Sequence, residues 1–245
     1  MSRRDYYVEG YFRLDGEERT PRLKKAIRFL SENKVQRVLD IGCGDGGLAL
    51  YIKEQCSLKE IFGIDVSPKA VRLAKQNGVR SFVVDVDNYK FPFPNDYFDG
   101  VFCGEIIEHL FDPDHMLKEI KRVLAPGGVC VITTPNLSSW FNRFALLFGY
   151  QPYYMDVSLD HYVGKLKTFQ SHSHFGGGHI RVFTYRALKQ LLQIHNFEIL
   201  EASGACGYNA EDYSFVLGMI EQLMSYIPSL SSTNVFLVRK KCVAE

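Results

Sequence analysis

The chain has 245 residues, is 46% hydrophobic and 23% charged, and carries a formal net charge of +1. That length suits one large domain, or one domain with a substantial insertion. A balance so close to neutral excludes a global field that draws in nucleic acid, and the early cations (Arg3, Arg4, Arg22, Lys24, Lys25, Arg28) are interleaved with acids as on a solvated face.

No apolar run follows Ser2–Tyr6, so no signal peptide is expected. No uninterrupted apolar stretch approaches the ~20 residues that span a bilayer. The six cysteines, at 43, 56, 103, 130, 206 and 242, form no C-x-x-C pair. They are expected to be reduced thiols of a cytoplasmic protein, neither a disulfide frame nor a zinc site.

Taken in order, the chain predicts a helix over Pro21–Glu32, with Thr20 at its N-cap and Pro21 in its first turn. A strand follows over Val35–Ile41, a helix over 47–55, a strand over Glu60–Val66, and a helix from Ser67-Pro68 to Asn77-Gly78. Strands are expected at Ser81–Val86, Phe98–Cys103 and Val129–Thr134, with a helix from Asp112-Pro113 to Leu124 and a turn at Ala125–Gly128. Alternation of this kind argues for a parallel sheet covered by helices. It stops over 136–178, a connection rich in aromatics and histidine, of the length that functional lids have. It resumes with a helix over Thr184–His195, a strand over Phe197–Ala202, a helix over 211–227 and a last strand over Asn234–Arg239.

The stretch Val38-Leu39-Asp40-Ile41-Gly42-Cys43-Gly44-Asp45-Gly46-Gly47 joins an apolar strand to a helix through glycines. Such a turn lets a ligand lie on the backbone at the carboxyl end of a first parallel strand. Gly42, Gly44 and Gly47 also meet the dinucleotide pattern G-x-G-x-x-G. Asp40 breaks the tie, because an acid there repels a pyrophosphate and attracts a cationic sulfonium or ammonium.

This segment resembles the first motif of class I methyltransferases, which bind S-adenosylmethionine. The resemblance implies a seven-stranded Rossmann-like sheet of order 3-2-1-4-5-7-6, strand 7 antiparallel, with helices on both faces and a lid after strand 5. It divides the chain into an N-terminal helical segment (1–34), a cofactor-binding half (35–136), a lid or acceptor insertion (137–179) and a C-terminal half of the same domain (180–245). Further matches follow in order. Gly63-Ile64-Asp65-Val66-Ser67 places Asp65 where a carboxylate accepts from ribose hydroxyls. Val84-Asp85-Val86-Asp87 resembles the segment that closes over adenine, with Asp85 and Val86 as its contacts. In Cys103-Gly104-Glu105-Ile106-Ile107-Glu108-His109-Leu110 the backbone at Cys103 lies beside the methionine moiety, Glu105 and His109 face the transfer site, and Glu108 binds backbone groups of the next loop. Thr20-Pro21-Arg22 resembles the N-terminal segment of ubiquinone-type O-methyltransferases, whose arginine holds the methionine carboxylate, a task that suits Arg22. Gly42, Cys43 and Gly44 complete the expected cofactor cradle.

The expected reaction is O-methylation of a small molecule such as a quinone, lipid or glycan precursor. His109 is the nearest base and His179, after Gly176-Gly177-Gly178, the second. The region after strand four lacks the Asn/Asp-Pro-Pro-aromatic of enzymes that act on nucleobase amines. His161, His172, His174 and His179, with Asp156 and Asp160, are not at ligand spacing, so no metal is expected. Over 139–150, Trp140, Phe144, Leu147 and Phe148 form a helical stripe: a face packed on the core, an acceptor pocket, or a surface for peripheral membrane or lipid-linked contact. Tyr153, Tyr154 and Tyr162 offer stacking faces to a sugar. A nicotinamide-dependent oxidoreductase and a non-catalytic cofactor-binding module stay as rivals.

Overall fold

Proline opens three of the early helices, and a capping side chain accepts at two of them. In the computed structural model, which describes residues 20–158, 161, 163–166, 178–206 and 215–241, α1 spans Pro21–Glu32 with Thr20 at its N-cap. Leu23, Ala26, Phe29 and Leu30 are its buried positions. Their spacing of three and four makes one apolar face. After β1 (Arg37–Ile41), α2 (Gly47–Gln55) and β2 (Glu60–Asp65), the Ser67 hydroxyl accepts from Ala70 N–H and starts α3 (Pro68–Gln76). β3 (Arg80–Val83) and β4 (Phe98–Gly104) follow, then a short 3-10 turn over Ile107–His109. The Asp112 carboxylate accepts from His115 N–H at the start of α4 (Pro113–Val123). β5 (Leu124–Pro135), α5 (Trp140–Leu147), α6 (Tyr185–Ile194), β6 (Phe197–Ala205), α7 (Phe215–Ser225) and β7 (Thr233–Lys240) complete the described chain.

The seven strands form one sheet in the order β3-β2-β1-β4-β5-β7-β6. β1, β2, β3, β4 and β5 pair in parallel, and β7 runs antiparallel to both β5 and β6. This is the expected topology. Alternate residues feed two cores. Leu39, Ile41, Ile64, Val101, Cys103, Cys130 and Ile132 enter one. Val38, Phe102, Val129, Val131, Val235 and Leu237 enter the other, with the apolar face of α1. A sheet covered on both faces explains the near-continuous apolar strands. Burial of Phe29 or Phe236 contributes about 1.5–3 kcal/mol each relative to exposure.

Three strand ends differ by three residues or more from the sequence reading, and others by one or two. β3 stops at Val83, because the Asp85 carboxylate accepts from Asp87 N–H (3.1 Å) and Asn88 Nδ2 (3.0 Å) and draws the chain into a turn. β5 begins at Leu124, which pairs with Phe98; Ala125–Gly128 bulges out before Val129 pairs with Gly100. β6 runs on to Ala205, since Ser203, Gly204 and Ala205 pair with Val235, Asn234 and Thr233. Residues 211–214 of the expected helix lie outside the described residues, as does Cys242; the described cysteines are all free thiols.

Candidate active site

The carboxyl ends of β1, β2 and β4 carry the acids. β1 delivers Asp40, opposite Gly63 of β2 and Phe102 of β4. Asp40 is 2% exposed and its Oδ2 has no hydrogen-bond partner among the described residues. Burial, with the neighbouring Asp65 charge, raises its pKa to about 7. An acid left in this state is poised for a cation, whose charge stabilises the ionised form.

Beyond Asp40 the backbone turns. Gly42 has φ +79° and Gly46, the N-cap of α2, has φ +80°. A Cβ on Gly42 would stand 2.1 Å from Ile106 Cδ1, so the β1 turn and the loop after β4 pack directly on each other. Gly46, not Gly47, takes the left-handed conformation, which only glycine adopts without strain.

Asp65 holds this turn. Its Oδ2 accepts from Gly44 N–H (3.0 Å) and its Oδ1 from Ser67 N–H (2.8 Å). Burial raises its pKa, against those backbone donors, which lower it. Cys43 is buried and lies against Gly63, where a Cβ would meet its Sγ at 2.5 Å. Cys103 is buried with Sγ 3.8 Å from Met116 Sδ. Both thiols therefore face the interior, and only their backbones are available to a ligand. Val66 and Val86 are half-buried beside these strand ends.

The second half of the site follows β4. Glu105 has φ +56°, and its N–H bonds to the Thr133 carbonyl (3.0 Å). Its Oε1 accepts from Thr133 Oγ1 (2.8 Å) and its Oε2 lies 2.8 Å from Arg22 Nη1. Glu108 is fully buried. Thr134 Oγ1 donates to its Oε2 (2.9 Å), while Oε1 has no hydrogen-bond partner and lies 4.0 Å from His109 Nε2. Burial, then the Glu105 charge, pushes its pKa well up. The Glu108 carboxylate thus meets a threonine hydroxyl of β5, where the sequence suggested groups of the next loop. It is the Glu108 carbonyl that serves that kind of role, accepting from Ile180 N–H (2.8 Å) and Arg181 N–H (3.0 Å). That clamp brings the returning lid to the β4 end, and the rings of His109 and His179 stand 4.9 Å apart. His179 Nδ1 is 2.9 Å from the Tyr154 carbonyl.

Of the four lid histidines for which the sequence predicts no metal site, His161 is exposed and its backbone N–H donates to Ser158 Oγ (3.2 Å). His172, His174, Asp160, Tyr162, Gly176 and Gly177 lie outside the described residues. Asp156 pairs with Lys165. On α5, Phe141 and Ala145 are buried, whereas Phe144, Leu146, Leu147 and Phe148 are exposed. The predicted stripe is therefore turned outward, and the buried face is its neighbour. Asn136 and Asn142, which composition gives no reason to single out, anchor this region. Asn136 Nδ2 donates to the Ser231 carbonyl (2.8 Å), and Asn142 Oδ1 accepts from Tyr153 N–H (2.7 Å).

A sheet of this order, with acids at the ends of its first two strands and a glycine turn between them, defines a class I S-adenosylmethionine-dependent methyltransferase. Residues 16–202 match the methyltransferase domain family, and the chain belongs to it. The ajmaline N-methyltransferase of Rauvolfia serpentina is 36% identical over 107 residues, which cover 41% of this chain and 36% of that protein. The ubiquinone biosynthesis O-methyltransferase of Xanthomonas oryzae is 35% identical over 107 residues, covering 41% of this chain and 43% of its own length. The matches thus span about a third to a half of these curated relatives. In solved structures, a complex between the Haloferax volcanii Trm112 methyltransferase activator and a methyltransferase aligns over 100% of both chains, with TM-score 0.67 at 18% identity, a likeness of fold. No described helix is long and apolar enough to cross a membrane. The site suits the family's cofactor on its own chemistry: the Asp40 carboxylate is buried with its Oδ2 unmatched among the described residues, and a ligand that brings a sulfonium and an ammonium would answer its charge.

Proposed function

We propose that this chain transfers the methyl group of S-adenosylmethionine to an oxygen of a small-molecule acceptor, of the quinone, lipid or glycan-precursor kind. The observation that carries the reading is the His109–His179 pair, rings 4.9 Å apart at the end of β4, on the strand next to the Asp40 strand. When bound, S-adenosylmethionine supplies a methyl group already activated by its sulfonium. Asp40 meets the positive charge, Asp65 the ribose hydroxyls, and Asp85 with Val86 the adenine edge. The backbone at Gly42, Cys43, Gly44 and Cys103 lines the cradle, and Arg22 holds the carboxylate of the methionine moiety. For its lone pair to take that methyl group, with the C–S bonding pair left to the departing sulfur, an acceptor hydroxyl would have to give up its proton. Two imidazoles and Glu105 at the transfer site supply the groups that handle this proton.

Residues 137–179 act as the acceptor lid between the cofactor half (35–136) and the C-terminal half (180–245), with 1–34 contributing Arg22. The exposed Phe144, Leu147 and Phe148 support an acceptor with an apolar tail, or contact with the lipid that carries it.

The test is methyl transfer from labelled S-adenosylmethionine to a panel of acceptors: a catechol with an isoprenoid tail, the same head group without it, a hydroxylated sugar and an alkaloid amine. Label on oxygen supports the reading. Label on the amine alone moves the acceptor to nitrogen, and cofactor binding with no transfer to any acceptor favours a non-catalytic module.

A further inference from the structure

We propose that Glu108, His109 and His179 hold a divalent first-row transition-metal cation at the transfer site. One carboxylate oxygen and one ring nitrogen from each histidine lie within 4.8 Å of one another. Donors around a four- to six-coordinate ion with bonds of about 2.0–2.2 Å stand about 3–3.5 Å apart, so side-chain rotation of about 1 Å closes the set.

Three features mark a built site. Glu108 is fully buried, yet its Oε1 has no hydrogen-bond partner among the described residues. An oxygen stripped of water and left unmatched costs stability, and native proteins keep such groups for a purpose. Its other oxygen takes the Thr134 hydroxyl at 2.9 Å, which fixes the plane of the carboxylate. The second feature is the His179 tautomer. Nδ1 stands 2.9 Å from the Tyr154 carbonyl, which only accepts, so Nδ1 carries the proton and the other nitrogen presents a lone pair. Metal-binding histidines are oriented by such a bond on the far side of the ring. The third is the backbone clamp: Ile180 N–H and Arg181 N–H both donate to the Glu108 carbonyl, at 2.8 and 3.0 Å. The residue after His179 is thereby tied to the peptide that precedes His109, which holds the donors together without any ligand.

Two imidazoles and one carboxylate select a borderline cation such as Mn²⁺, Fe²⁺, Co²⁺ or Zn²⁺ over the all-oxygen preference of Ca²⁺ and Mg²⁺. Three protein donors leave coordination positions open. If the acceptor is an oxygen, as proposed above, an open position takes it as its anion; the metal site rests on the proposed function in this respect alone. With both imidazoles serving the ion, Glu105 alone of the proton-handling groups proposed above stays available: the hydroxyl proton would leave to it or to solvent, and the oxygen lone pair would remain for the methyl carbon.

The test is cation binding by the full chain without cofactor or acceptor. Tag-free protein is stripped with chelator and titrated with Co²⁺, read by visible absorption, and with Mn²⁺, read by electron paramagnetic resonance. The expected result is one ion per chain, with Co²⁺ affinity at least 30-fold weaker in Glu108→Gln and in His179→Asn. His179→Asn keeps the assay decisive should the buried Glu108 change impair folding, which circular dichroism reports. No Co²⁺ bound by folded wild-type protein overturns the proposal, as does binding that both variants leave unchanged. Because neither readout involves methyl transfer, bound Co²⁺ in a protein that methylates nothing upholds the metal site while removing the acceptor reading.

Discussion

Arg22 at the start of α1 and Glu105 at the end of β4 form an ion pair, Nη1 to Oε2, at 2.8 Å. Their side chains are 14% and 26% exposed, so the pair is largely withdrawn from solvent. It ties the N-terminal helix to the transfer side of the sheet. Arg22→Ala is therefore expected to act twice. Given the role proposed for Arg22, it would remove the partner of the methionine carboxylate, a charge-assisted bond of about 1.5–3 kcal/mol, or roughly 10- to 100-fold in cofactor affinity. It also leaves Glu105 beside Glu108 without its counter-charge. A calorimetric cycle of Arg22→Ala, Glu105→Gln and the double variant checks this; cofactor affinity unchanged in Arg22→Ala would remove Arg22 from the site.

Asp40 gives the site a pH dependence. Its folded pKa is raised, to about 7, from an ordinary value near 3.8. The folded state thus holds a proton that the unfolded state has released, and ligand-free stability is lost as pH rises from about 4 through about 7. Asp65 and Glu108, both raised mainly by burial, add in the same direction. Glu119 acts oppositely and at lower pH, since Arg122 holds its pKa down against burial. Thermal unfolding of the ligand-free protein at pH 5.5 and pH 8 checks the sign, and Asp40→Asn should flatten the slope.

The same acid governs cofactor affinity. In the proposed site the sulfonium and ammonium would favour ionised Asp40, whose pKa is about 7, so binding is expected to expel a proton below that pH. Affinity should fall by up to about tenfold per pH unit below that point. Titrations in buffers of different ionisation enthalpy measure the released proton directly; no release at pH 6 would separate Asp40 from the cofactor.

Asp65→Ala is expected to lower both stability and cofactor affinity, because its carboxylate holds Gly44 N–H and Ser67 N–H and, in its proposed role, would also meet the ribose hydroxyls. Two charge-assisted bonds to the backbone are lost, about 1.5–3 kcal/mol each at most. Urea unfolding and calorimetry on one sample separate the two effects.

On α5, Leu147 is 78% exposed and Phe144 48% exposed. Leu147→Glu should leave the unfolding temperature within the small range of surface changes, about ±0.5 kcal/mol. It should lower turnover of an isoprenoid-tailed acceptor and spare the same head group without its tail. Equal loss on both acceptors would point to the lid structure itself.

Much of this fold was legible because local signals agreed. Thr20-Pro21, Ser67-Pro68 and Asp112-Pro113 open helices where expected, and apolar strands alternate with them to give the sheet order of the family. Strand ends were less legible because they depend on partners. Asp85 curtails β3 through its own side-chain bonds, and Ser203–Ala205 joins β6 only because β7 lies alongside. Among the site residues, Asp40 and Asp65 stand out in sequence by their position around the glycine turn. The link from Arg22 to Glu105 and the convergence of His179 on Glu108 did not, since each joins segments some 70 or more residues apart through contacts that no spacing encodes. Spacing among the four histidines could not show the second of these, because two of its donors, Glu108 and His109, lie outside the lid.

The most direct test of the buried acid's role is calorimetric titration of the folded chain with S-adenosylmethionine, S-adenosylhomocysteine and NADH, repeated on Asp40→Asn. The expected result is binding of the first two, none of NADH, and a larger loss in Asp40→Asn for the charged S-adenosylmethionine than for S-adenosylhomocysteine. Binding of NADH, or equal losses for both adenosyl ligands, would contradict a buried carboxylate at the end of β1 that answers the charge of the cofactor.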